Sequence, residues 1–512
     1  MRRASAFLLG VALAAALGAC TARPRPVGLG RRIAEGKAQG LRPSPDGSRL
    51  AWLDRCARPP VAQAPPVCDL LVAAVDGGGA SRVAEGVSSL EAGFAWGRDG
   101  SLAALARLDP ASGTGALVVV RPGAGPEVVA PAVSFYAFGP GGDLGLVAAG
   151  ELQVQVPGAR PAPVAGAAGV ATFEFDPADP GQLLARRQAA AGGALLRVRG
   201  GVATPLSTAP AGEYAWSPDG RFVAATVRGA GGTWDLQLWS AAAARPPATL
   251  AGDVQAFSFA RDGSAIAFLA GMSPGKAGDL YAATLGRAED PRPARAALVA
   301  KGVGEFRWAS AAPRLAWLES FDPRIRAGAL GLGGPGAPAS TFGKNVTAFD
   351  LSPAGTQAAF LEHVTAGGYS VDLMLAAPGA AAATVARGVF GFDFSPDGRW
   401  LYYRANCVRN AEACDLLRVP SAGAAAGQAP VRVAEGVKSF EFDRSRPDRL
   451  LIGYARKDLA ALDLAVWDGS RLVPVDRAVA PGSARLLPPD GSRLAYVVVD
   501  PERAGVYVAR LP

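Results

Sequence analysis

The chain has 512 residues and a formal charge of +8; half of its residues are hydrophobic, 19% are charged, and it contains 65 glycines and 42 prolines. That balance excludes an intrinsically disordered chain and describes a globular one rich in turns. The basic residues are scattered singly, without the clustered face that nucleic acid requires, and the single histidine gives a Ser-His-Asp triad or a multi-histidine metal centre little to draw on.

Residues 1–19 read as an export signal: Arg2 and Arg3 precede an apolar run from Phe7 to Leu17, too short to cross a bilayer as a helix. The run ends in Leu17-Gly18-Ala19-Cys20, which resembles the bacterial lipobox and implies acylation of Cys20. Thr21 follows that cysteine, which by the sorting rule of enteric bacteria favours the outer membrane. Residues 20–30 form a short tether. No later apolar run reaches the length of a membrane helix.

Further along, Cys56 and Cys68 flank one proline-rich loop, and Cys407 and Cys414 flank a shorter one. Four cysteines allow three connectivities. Each pair occupies the same place in its local pattern, so local pairing is expected, as suits an exported protein. The competing four-cysteine metal site lacks short-spaced CxxC pairs.

The organising pattern is clearest at 391–403. Phe392 and Phe394 alternate with smaller or polar residues, as in a half-buried strand. Ser395-Pro396-Asp397-Gly398 then supplies a tight turn, and Trp400 to Tyr403 resume as a second strand. Full copies recur around Asp46 and Asp219 and degraded copies elsewhere, giving eleven anchors separated by roughly 37 to 53 residues. A third strand often opens with Asp-Leu, at Asp69, Asp235, Asp279, Asp372, Asp415 and Asp463. A fourth often carries Val-Ala-x-Gly-Val, as at 83–87 and 433–437. Four short strands (a to d) in roughly 44 residues is the unit of a β-propeller blade. The unit resembles the PD40 repeat, the WD40-like repeat of TolB-type propellers, over nearly all of the chain beyond Cys20.

The expected fold is therefore all-β, with tandem propellers of about eleven blades. Residues 32–36 match strand d but precede the first anchor, and a polar, proline-containing stretch at 286–294 interrupts the array. Division there gives about six blades in 31–285 and about five in 295–512. Each ring would close by pairing its opening strand d with its final strand c, leaving no open sheet edge. One oversized ring, or a five-plus-six split, is the alternative.

Catalytic motifs find no suitable context. Gly271-Met-Ser273-Pro-Gly275 matches a nucleophile elbow but has no helix after it. Gly331-x-Gly333-x-x-Gly336 matches a dinucleotide fingerprint, but Pro335 and Pro338 stand where a helix would start, so it reads as a loop. His363 reads as structural, the Asp-Leu carboxylates as acceptors at b–c turns, and the paired strand a aromatics as core. No catalytic, cofactor-binding or metal residues are expected. The resemblance implies a non-enzymatic envelope lipoprotein, anchored by lipid on the periplasmic side of the outer membrane. It would act as a binding or scaffold module for envelope proteins such as Tol-Pal-like or outer-membrane assembly components, and not for nucleic acid. The alternative is a lyase, glycosidase or peptidase-related propeller enzyme working in a central channel; the chain's end inside a strand leaves no α/β-hydrolase domain after the repeats.

Overall fold

The computed structural model describes residues 28–511 apart from 62–63, 91–92, 189–192, 243–245, 272–276, 287–295, 364–370, 409–412, 423–427, 444 and 457–459. The signal segment, Cys20, most of the tether and most of the 286–294 stretch lie outside the described residues. Among the described residues the regular elements are β-strands, paired antiparallel except for one parallel bridge between Ala165 and Val202.

The strands group into eleven successive four-stranded units, here called blades. The first comprises Gln39–Pro43, Arg49–Ala57, Val67–Ala74 and Ala80–Ser88. The next nine span 94–132, 133–168, 170–205, 211–251, 254–303, 305–345, 346–386, 391–437 and 438–479. Strand b is the most apolar: Ala265–Ala270 is buried throughout, and Phe222–Arg228 at all but its last residue. Such strands pack against a neighbouring blade on both faces, so their sequence is continuously hydrophobic instead of alternating. Three long strands, Pro126–Phe138, Ala337–Leu351 and Val431–Phe442, serve as strand d of one blade and strand a of the next.

The closure differs from the expected two rings. Gly278–Thr284 pairs with Ala297–Val303, across the stretch expected to separate two domains. Arg31–Glu35 pairs with Gly505–Arg510, the last strand of the chain, and completes the eleventh blade. Between blades six and seven, Ala267, Leu269 and Leu280 pack against Leu315 and Trp317. Between blades eleven and one, Leu487, Ala495 and Val506 pack against Leu41, Leu50 and Trp52. Each blade thus packs on its sequence neighbours and the last packs on the first, in one closed circuit. Strand d looks alike in every blade, so sequence alone does not decide which strand c it joins.

Arginines following the a–b corners stitch neighbouring blades together. Arg49 donates to the Gly100 carbonyl, Arg221 to Gly263 (3.4 Å), Arg449 to Gly491, and Arg493 to Gly47 (3.2 Å). The last of these crosses the closure. Corners and c–d turns share one face of the array, the corner face. The disulfides Cys56–Cys68 and Cys407–Cys414 form as expected, on the opposite, b–c face.

Of the dinucleotide-like glycines, Gly331 and Gly333 lie in a strand, Ala327–Gly334, and not in the loop expected from the prolines, whereas Gly336 sits in the turn that follows. Gly331 is the cross-strand partner of the fully buried Trp317, and a Cβ there would stand 2.1 Å from the indole. Packing against that ring requires the glycine.

Candidate functional site at the inner rim

The corner aspartates are occupied by the turns that contain them. Asp46 Oδ1 accepts from the Ser44 hydroxyl (2.6 Å) and the Ser48 N–H (3.1 Å). Asp219 and Asp397 accept likewise from Ser217 and Ser395 and from the N–H groups of Arg221 and Arg399. These bonds, the Ser44 hydroxyl foremost, hold the Asp46 carboxyl down to about 2. The Asp-Leu carboxylates are also engaged locally, though seldom at the b–c turn. Asp69 faces Arg55 and Arg82, and Asp415 accepts from the Asn406 amide. Asp463 takes Arg456, and Asp279 accepts from the Gly302 N–H on strand d. Among the described residues, no three His, Cys, Asp or Glu side chains gather as a metal site.

Strand a of each blade meets strand a of its neighbours, so these strands form the inner wall. Trp96, Trp216 and Trp308 occupy equivalent places and donate their indole N–H back to the preceding blade, to carbonyls of Arg42, Glu174 and Ser258. Phe135 and Phe173 meet edge-to-face at 5.1 Å across blades three and four. The aromatics expected as core therefore seal the seams between blades.

Two features of this wall are not accounted for by packing. The first is a carboxyl pair. Asp350 in blade eight and Asp393 in blade nine lie close enough for each to perturb the other's carboxyl. Asp393 is open to solvent but enclosed by protein on most sides, and this crowding, followed by the Asp350 charge, pushes it up to about 6. Asp350 is raised as well, through burial, with partial relief from Arg307. Arg307 itself is held by Glu305 at 2.8 and 2.9 Å. Sequence reading missed this pair because its members lie on strands of different blades.

The second feature is a cleft between blades ten and eleven. The eleventh strand a has shrunk to Arg485–Leu486 and lacks the aromatic pair that blade ten carries as Phe440 and Phe442. The gap forms two cavities of about 290 and 170 Å³ that share Glu441, Leu451 and Ala484. Phe442, Leu486, Leu487 and Pro488 supply apolar walls, with Glu441 and Arg485 as polar lining. Beneath them lies the buried pair Asp443–Arg449. Asp443 Oδ1 accepts from Ser445, while Oδ2 accepts no hydrogen bond and faces Arg449 at 3.5 Å. Apolar walls with a few fixed polar groups are the usual makeup of a ligand pocket. The sequence signal was the missing aromatic pair before Pro489-Asp490-Gly491.

The other residues singled out from sequence are dispersed. His363 ends the strand Ala358–His363, Ser273 lies outside the described residues, and the disulfides are on the b–c face away from the corners.

No family model matches the chain, and no curated protein matches it. Among solved structures it is similar to a eukaryotic initiation factor at 13% identity and a TM-score of 0.41, covering 70% of this chain and 92% of that one. A tricorn protease matches at 14% identity and a TM-score of 0.31, over 91% of this chain and 52% of that one. The Dos1 propeller matches at 9% identity and a TM-score of 0.34, over 66% and 92%. At such identities and scores these likenesses say nothing of what this chain binds.

Proposed function

We propose that the chain is a non-enzymatic binding and scaffold module of the bacterial envelope, of the PD40 or TolB-like kind, tethered to the outer membrane through lipid on Cys20. The observation that carries this reading is the cleft between blades ten and eleven. It is a preformed apolar recess on the inner rim, where the aromatic pair of the neighbouring blade has no counterpart, and its size suits one or two side chains of a partner protein. Rigid blades around it would keep the entropic cost of capture low. The test is affinity capture from detergent-solubilised envelope, with Cys20→Ser as the unanchored control and Leu486→Arg to fill the cleft. One specific protein should be recovered by the parent chain and lost with Leu486→Arg. Recovery of none, or of the same set with both, would defeat the proposal.

The carboxyl pair supports a second reading, an acid–base enzyme working in the channel. Two neighbouring carboxyls, one of them raised to about 6, could share a proton, which suits hydrolysis by an activated water. Hydrolysis of a peptide mixture near pH 5 that disappears in Asp393→Asn would favour this reading over the scaffold.

A further inference from the structure

The closing strands carry an excess of positive charge. In the eleventh blade, Arg493 and Arg510 are direct cross-strand partners. Arg31 pairs with Val508, two residues before Arg510, so alternation puts Arg31, Arg493 and Arg510 on one face of the sheet. Like charges placed directly opposite each other destabilise a sheet. The three line one cleft of about 580 Å³ on the corner face, together with Leu29, Val75, Asp76 and Val508.

Two of the guanidinium groups are already oriented. Arg493 donates to Asp76 (3.1 Å) and to the Gly47 carbonyl (3.2 Å) of blade one, and Arg31 reaches the Val75 carbonyl at 3.5 Å. Arg510 is exposed and has no protein partner among the described residues. Asp76, 87% exposed, is the only carboxylate among the described residues lining the cleft, against three arginines. The remaining two positive charges match a dianion, and guanidinium groups bind phosphate oxygens through paired N–H donors. The cleft is larger than a phosphate group alone needs, and its apolar residues can hold an attached organic body.

We propose that this closure cleft binds a phosphate-bearing ligand, with Arg510 as the principal contact and Arg31 and Arg493 as flanking donors. Bound phosphate would offset the Arg493–Arg510 repulsion and so tighten the joint between the first and last strands. The site lies on the corner face and is independent of the inner-rim cleft.

The experiment uses the full chain in its Cys20→Ser form, so that an acyl anchor does not itself attach the protein to lipid. One arm titrates inorganic phosphate by calorimetry at low salt. The other sediments the protein with phosphatidylglycerol–phosphatidylcholine vesicles. Binding in the first arm would assign a soluble phosphate ester, and binding in the second alone a lipid headgroup; either supports the site. In the arm that binds, Arg510→Gln should weaken affinity about tenfold, as expected for a lost charge-assisted hydrogen bond, with partial rescue in Arg510→Lys. Arg121→Gln, which removes a basic group on the same face in blade two, should have no effect. Without ligand, Arg510→Gln should unfold at the same denaturant concentration as the parent or a higher one. No binding in either arm would overturn the proposal, as would equal losses in Arg510→Gln and Arg121→Gln.

Discussion

Gly30 rests directly against the hydroxyl of Tyr496: a Cβ at Gly30 would lie 2.0 Å from that oxygen. The hydroxyl cannot easily retreat, because it donates to the fully buried Asp476 at 2.9 Å, and both oxygens of that carboxylate also accept from Arg503 (2.8 and 2.9 Å). The chain therefore enters its closing strand over a fixed polar cluster. Gly30→Ala should lower unfolding free energy by about 2 kcal/mol, the usual cost of overpacking, as read from urea denaturation. Gly113→Ala, in an open c-strand approach where a Cβ meets no atom, tests the opposite case: its cost should come only from the positive φ of that glycine.

The carboxyl pair predicts a pH dependence of definite sign. Asp393 rises from its ordinary 3.8 to about 6 in the folded chain, so between those values the native state holds more proton than the unfolded one. Stability from this group is complete below about pH 4 and is lost as pH rises through about 6. Urea midpoints of the parent minus those of Asp393→Asn, taken between pH 4 and 7, should fall with rising pH. A flat difference would mean that the Asp393 carboxyl is not raised in the folded chain.

Removal of a corner carboxylate should cost more than an exposed position ordinarily does. Asp397 accepts from a hydroxyl and a backbone N–H and pairs with Arg399, which also reaches Asp448 of the next blade at 3.0 Å. Asp397→Ala should destabilise by about 1.5–3 kcal/mol, the range for hydrogen bonds to charged groups. The chemical denaturation midpoint reads this directly.

The two disulfides close loops with sequence separations of 12 and 7. By loop-closure entropy each contributes about 2–3 kcal/mol, and the longer loop contributes slightly more. Cys56→Ser/Cys68→Ser should therefore lower stability somewhat more than Cys407→Ser/Cys414→Ser, in melts run without reductant.

Much of the fold was legible because its determinants are local. The Pro-Asp-Gly corners, the alternating strand a and the apolar strand b identify a blade from its own residues, and the cysteine pairs follow from their places in it. Closure was not legible. Arg31–Glu35 has the same local character as every strand d, and its partner Gly505–Arg510 lies at the far end of the chain. The Asp350–Asp393 pair and the three closure arginines were hidden for the same reason, since each joins residues from different blades. The cleft beside Leu486 had a faint trace, the absence of an aromatic pair, which is harder to notice than a motif.

Electron cryomicroscopy of the full chain, viewed along the axis of the circuit, tests the closed arrangement most directly. One ring of blades, with density for Arg31–Glu35 against Gly505–Arg510, is the predicted result. Two separate rings, with the first strand joined to Gly278–Thr284, would contradict it and would dismantle the closure cleft.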